Sequence, residues 1–134
     1  MSPCRIIAGD FNCVDNRLDR LHVLNDSLPD KSVFRRLLSD CSLIDVRRKQ
    51  HPRGTSHTWA NANYSEVSRL DRFLVSGSLE RCIGCPNVFP CSFSDHDFVV
   101  LTFSPDDCPG TRSGVRKFNS SLLNDVIFKR ECLS

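Results

Sequence analysis

Ser68-Arg69-Leu70-Asp71-Arg72-Phe73-Leu74-Val75 is strand-like, yet Asp71 alternates with Phe73 and Val75 on one face. A core strand carries apolar residues there, and an inward carboxylate needs a partner. The natural candidate is His96, in Ser94-Asp95-His96-Asp97. That island directly precedes an apolar run over 98–103, which reads as a fully buried strand. A third polar island, Gly9-Asp10-Phe11-Asn12, closes a short buried strand over 4–8. If these two strands run antiparallel, the end of one lies beside the start of the other. Two carboxylates, an amide and an imidazole then converge on one rim of a sheet.

The chemistry of such a set follows from its parts. A carboxylate fixes the tautomer of an imidazole and favours its second proton. The imidazole can then stabilise a phosphate oxygen that gains negative charge. A second carboxylate can orient or deprotonate an attacking water, and an amide can hold a non-bridging oxygen without adding charge. A hard divalent cation completes the set, because phosphodiester cleavage develops charge on both attacking and leaving oxygens. Alone, Gly-Asp-Phe-Asn is a turn and Ser-Asp-His a cap. All three islands in this order, each at a strand edge, point to a site.

Those residues carry a resemblance. Ala8-Gly9-Asp10-Phe11-Asn12, Thr55-Ser56-His57-Thr58-Trp59, residues 68–75 and Ser94-Asp95-His96 resemble the C-terminal half of an endonuclease/exonuclease/phosphatase domain. The variant most similar is the apurinic-type endonuclease of non-LTR (LINE-type) retrotransposon polyproteins. Leu43, Asp45 and Arg48 match its Leu-x-Asp-x-x-Arg signature. Lys117-Phe118-Asn119-Ser120-Ser121-Leu122-Leu123 is similar to the segment leading toward the reverse transcriptase, although Arg116 stands where that pattern has Trp.

The resemblance implies an α+β fold, a partial four-layer α/β-sandwich lacking its N-terminal half. The family's first strands, its metal-binding Glu and its catalytic Tyr or His find no counterpart, and Tyr64 falls after the Gly-Asp-Phe-Asn element, where the family's Tyr precedes it. The implied organisation is a half-domain over 1–104, a linker over 105–118 and a connector helix over 119–134. The implied reaction is Mg²⁺- or Mn²⁺-dependent nicking of DNA, with the fragment itself truncated and inactive. Asp10 would orient or activate water, and Asn12 would hold the scissile phosphate. Asp71 would fix His96, His96 would stabilise the pentavalent phosphorus, and Asp95 would assist. Asp10 and Asp95 would hold the metal. Thr58 and Ser94 would position the phosphate backbone, and Trp59 is either a core aromatic or part of a DNA-binding face. Phosphatases of the same superfamily carry similar elements, and a non-catalytic nucleic-acid-binding remnant is a reading of another class.

Composition suits one small domain. The 134 residues are 40% hydrophobic and 25% charged, ordinary values for a globular chain. No apolar run approaches the roughly 18 residues that span a bilayer, and no secretory leader is legible. Those absences point away from membranes, to an intracellular protein, nuclear or cytoplasmic. A net charge of +2 is too small to imply a nucleic-acid partner. Its distribution says more: Arg47, Arg48, Lys49, His51 and Arg53 crowd one Pro- and Gly-containing loop, and Arg112, Arg116 and Lys117 form a second patch. The first group reads as a solvated loop or a phosphate-contacting one. The oligomeric state is not legible.

Eight cysteines invite three readings. Disulfides are disfavoured without a leader, and Cys4 inside an apolar run reads as a small hydrophobe. Cys82-x2-Cys85-x5-Cys91-x4-His96 resembles a zinc ladder. His96 cannot serve both zinc and a phosphate site, so reduced thiols are the main reading.

Elsewhere, a surface loop is expected over 15–30. A helix over 30–43 would be capped by Asp30 or Ser32, with Val33, Leu37, Leu38 and Cys41 at helical spacing. Strands are expected over 57–60, 69–75, 81–89 and 98–104, and a terminal helix from Asn119 or Ser120 to about Arg130.

Overall fold

The structure, a computed structural model, describes residues 4–21 and 32–108. Asp30, both the linker beyond Cys108 and the expected terminal helix, and the patch of Arg112, Arg116 and Lys117 lie outside the described residues.

The centre of the molecule is β6, Asp71–Ser76. It lies between β1, Ile6–Asp10, and β3, Leu43–Asp45, antiparallel to both. Leu74 and Val75 are fully buried on opposite faces of this sheet. Leu74 packs with Cys13, Phe34 and Leu43 under α1, Ser32–Asp40. Val75 packs with Val46 and Ile83 under α2, Val46–Gln50. Period-two alternation thus feeds two cores rather than one. Leu74→Ala should cost about 2–5 kcal/mol by leaving a cavity in the first of them. A urea titration of the purified chain reads this as a lowered midpoint.

The strand expected over 69–75 is broken. Val67–Ser68 forms β5, which pairs with β2, Arg20–Leu21, and β4, Trp59–Ala60, in a second sheet. The chain then changes sheets across Arg69 and Leu70. The Arg69 N–H donates to the Asp19 carbonyl at 2.7 Å. The amides of Leu70 and Asp71 both donate to Thr58 Oγ1 at 3.0 Å. Side-chain and loop acceptors therefore replace the ladder at the crossing.

Three further expectations are corrected. The strand over 98–103 is only β8, Phe98–Val100, paired with β7, Asn87–Phe89. Phe98, Val100 and Phe103 are exposed, as are Phe89 and Ile6, so neither β8 nor β1 is a buried strand. Residues 81–89 are not one strand either, since Gly77–Cys82 is a 3-10 helix before β7. Finally, Cys82 and Cys108 form a disulfide, which removes Cys82 from any zinc ladder and departs from the all-reduced reading. Cys4, Cys13, Cys41, Cys85 and Cys91 form no disulfide among the described residues, and Cys4 is exposed. No helix among the described residues is long and apolar enough to cross a membrane.

Candidate active site

The β1–β6 register sets Asp10 opposite Asp71 at the end of both strands. This, and not a pairing of β1 with β8, brings the first two islands together. The third arrives through an isolated bridge between Trp59 and His96, where Asp97 N donates to Thr58 O at 2.8 Å. Gly9 just before Asp10 has φ +152°, a conformation glycine adopts at little cost. Asn12, with φ 49°, turns the chain away as its amide donates to Asp10 Oδ1 at 2.8 Å. Asn tolerates this left-handed conformation better than most residues.

At the rim, His96 Nδ1 lies 2.8 Å from Asp71 Oδ2, and His96 Nε2 lies 3.8 Å from Asp10 Oδ2. Thr58 Oγ1 donates to the same Asp71 oxygen at 2.6 Å. Thr58 is only 1% exposed. Its hydroxyl thus positions Asp71. Asp95 is turned toward Trp59, whose indole N–H donates to Asp95 Oδ2 at 3.0 Å. Ser94 is exposed and its hydroxyl accepts the His96 amide at 3.0 Å. A cleft of about 500 Å³ runs beside this rim, lined by Trp59, Asn61, Tyr64, Phe93 and Asp95 among others.

The hydrogen bond to Asp71 raises the His96 pKa above its ordinary value; partial burial opposes this, and the charges of Asp71, Asp10 and Asp95 add to it. The imidazolium is therefore more stable folded than unfolded. Its contribution is complete below the unfolded His pKa of about 6.5 and is lost as pH rises through the higher folded value. An NMR titration of the ring should show a midpoint above that of an unfolded control, and Asp71→Asn should lower it.

Asp10, Asp71 and His96 each offer a ligand atom, all within 4.8 Å of one another. Asp71 is already engaged by His96 and Thr58, so the Asp10 carboxylate, 39% exposed, is the side chain best placed for a hard cation. The donor chemistry fits such an ion, with few protein oxygens.

Behind the rim lies a cluster absent from the sequence-based expectations. Asp19, expected in a surface loop, is fully buried and meets three guanidinium groups. Arg69 Nε reaches Asp19 Oδ1 at 2.7 Å, Arg72 Nη2 reaches Oδ2 at 3.4 Å, and Arg48 also bonds Oδ1. Asp45 takes Arg69 Nη2 at 2.7 Å and caps α2 through the Arg48 amide. Arg72 additionally stacks over Phe34, 4.8 Å from the ring centroid. The legible signal was Arg72, which alternates with Leu74 on a face that should be apolar.

Arg47, Arg48 and Lys49 of the first basic group, candidates for phosphate contact, make contacts within the fold. Arg47 donates to Ser56, Cys85 and Pro86, Arg48 to Asp19 and loop carbonyls, and Lys49 pairs with Glu80 at 2.8 Å. Residues 46–50 are the helix α2 rather than loop.

The fold itself is that of exonuclease and phosphatase chains. A Neisseria 3′ phosphatase, NExo, solved with a product DNA hairpin, aligns at TM-score 0.62 and 22% identity. The match covers 74% of this chain and 44% of that one. The 3′-5′ exonuclease NExo of Neisseria meningitidis aligns at the same TM-score and 23% identity, with the same coverage. In sequence, the chain is similar to a transposon protein. The uncharacterized 149 kDa protein of transposon TX1 of Xenopus laevis is 34% identical over 128 residues. That match takes in 93% of this chain and 10% of the Xenopus protein. The chain thus spans a tenth of this relative and less than half of each solved chain. No protein-family model matches it.

Proposed function

We propose that this chain carries part of the reaction centre of a metal-dependent DNA-nicking endonuclease of a non-LTR retrotransposon, of the apurinic type. The observation that supports this most is the convergence of Asp10, Asp71 and His96 on one sheet rim. Asp71, locked by Thr58, holds His96 in the tautomer whose Nδ1–H faces the carboxylate. His96 Nε2 then faces the rim and donates to a phosphate oxygen as charge develops there. Asp10 orients the attacking water, and Asn12, exposed beside it, holds a non-bridging oxygen. Asp95, held by Trp59, assists from the cleft side, and Ser94 supports the His96 backbone. Asp10 with Asp95 would hold Mg²⁺ or Mn²⁺, which supplies charge neutralisation at the phosphate. DNA would lie along the cleft past Tyr64 and Phe93. Arg47, Arg48 and Lys49 would contribute field rather than direct contacts. The hydrolytic unit would include a preceding half-domain and precede a reverse transcriptase region in the same polyprotein, acting inside the cell in nucleus or cytoplasm.

Few oxygens surround the metal position, so the 134-residue chain alone is expected to nick supercoiled plasmid weakly or not at all in Mg²⁺. The protein extended by the preceding half-domain should relax the plasmid, and chelation should stop it. Nicking that persists in chelator, or an inert extended protein, would sink this reading. A hairpin ending in a 3′-phosphate, run in parallel, separates nicking from the phosphatase alternative.

A further inference from the structure

A guanidinium and an imidazole meet at one sulfur. Arg47 Nη1 lies 3.0 Å from Cys85 Sγ, and His51 Nε2 lies 3.1 Å from it. Arg47 and His51 sit four residues apart at the end of α2, where the His51 amide donates to the Arg47 carbonyl at 2.9 Å. That spacing puts both side chains on one face. Arg47 is held from behind by Ser56 Oγ and the Pro86 carbonyl, both at 3.2 Å, so its guanidinium is preset. Cys85 is partly exposed and His51 is exposed, which leaves the sulfur open to a small reagent. A thiol with an imidazole in hydrogen-bond reach, and a fixed cation beside both, has the arrangement of an activated nucleophile.

We propose that Cys85 is a nucleophilic modification site for hydroperoxides, with His51 as proton acceptor and Arg47 as a fixed donor to the sulfur. Sγ attacks one peroxide oxygen, forming the S–O bond as the O–O bond breaks. The thiol proton passes to His51 Nε2 and on to the departing hydroxide, which leaves as water. The sulfur is oxidised to a sulfenic acid and the peroxide is reduced. Cys85 is not a member of the Asp10–Asp71–His96 group, and its reaction does not depend on the nuclease reading.

The test exposes the full chain to limiting hydrogen peroxide with dimedone present and counts adducts at each cysteine by peptide mass spectrometry. Cys4 is the exposed reference, and the buried Cys13 reports whether the fold stays closed. Adducts at Cys85 should build at least about tenfold faster than at Cys4, and His51→Gln should reduce the Cys85 rate about tenfold with Cys4 unchanged. Should His51→Gln unmask Cys13, Arg47→Lys, which keeps the charge, replaces it with the same expected direction. Equal rates at Cys85 and Cys4, or a Cys85 rate indifferent to the folded variant, would overturn the proposal.

Discussion

Asp19→Ala is expected to destabilise the domain by about 3–5 kcal/mol, because it leaves buried guanidinium groups without their shared carboxylate. Arg69 and Arg72 are almost fully buried, and Asp45 remains as their other carboxylate partner. One carboxylate cannot balance two buried cations, and both desolvation penalties persist. Small domains hold only about 5–15 kcal/mol of net stability, so the variant should sit close to unfolding. Urea titration with near-UV detection measures it. A midpoint within experimental error of wild type would show that Arg48, Arg69 and Arg72 find other partners. The pH dependence has a definite sign. Burial pushes the Asp19 carboxyl up, but hydrogen bonds from Arg69 and then Arg48, with their charges, outweigh it and hold the pKa below the ordinary value. Its contribution is therefore complete above the unfolded Asp pKa of about 3.9 and is lost as pH falls through the depressed folded value. The wild-type chain should lose stability in that acid range, and Asp19→Ala should lose less of what it has left.

His96→Ala is expected to lower nicking by the extended protein about 10²–10⁴-fold, the usual range for removing a positioned proton-transfer group. Asp71→Asn should cost somewhat less, since the ring stays in place without the partner that favours its charged form. Substrate affinity should change little in either variant, because a charge-stabilising contact acts mainly in the transition state. Asp71→Asn should also move the alkaline limb of the pH–rate profile toward lower pH, following the loss of the hydrogen bond that raises the His96 pKa. A loss confined to KM would point to a binding role for His96 instead.

The meeting of the polar islands at one rim was legible, but the strand pairing that brings them there was not. Asp71 and His96 were readable as partners because an acid among Phe73 and Val75 violates strand patterning, and Asp10 fell into place with them. The route was misread. Antiparallel pairing of β1 with residues 98–103 would have served, yet β1 pairs with β6, and the Trp59–His96 bridge delivers the imidazole. Periodicity marks which residues share a face but not which strand lies next to which. The break at Arg69 was invisible for a related reason. It depends on acceptors at Thr58 and Asp19, eleven and fifty residues away in sequence. Asp19 itself was hidden because its neighbours are polar, and burial of a charge depends on partners that only the tertiary structure assembles. Asp45 stood in a recognised signature, and its reach to Arg69 was not foreseen. The exposed Phe98 and Val100 of β8 looked like core from sequence. Apolar runs report a preference for cover, not that the described residues supply it.

In the proposed reaction Asp71 and His96 act as one unit on the phosphate. The most direct test is a double-mutant cycle on Mg²⁺-dependent nicking by the extended protein, with His96→Ala, Asp71→Asn and both together. Residues that act only through one another give losses that do not multiply. The double variant should therefore be no more than a few-fold slower than His96→Ala alone. Two full losses multiplying in the double variant, or a His96→Ala protein that nicks at the wild-type rate, would contradict the account.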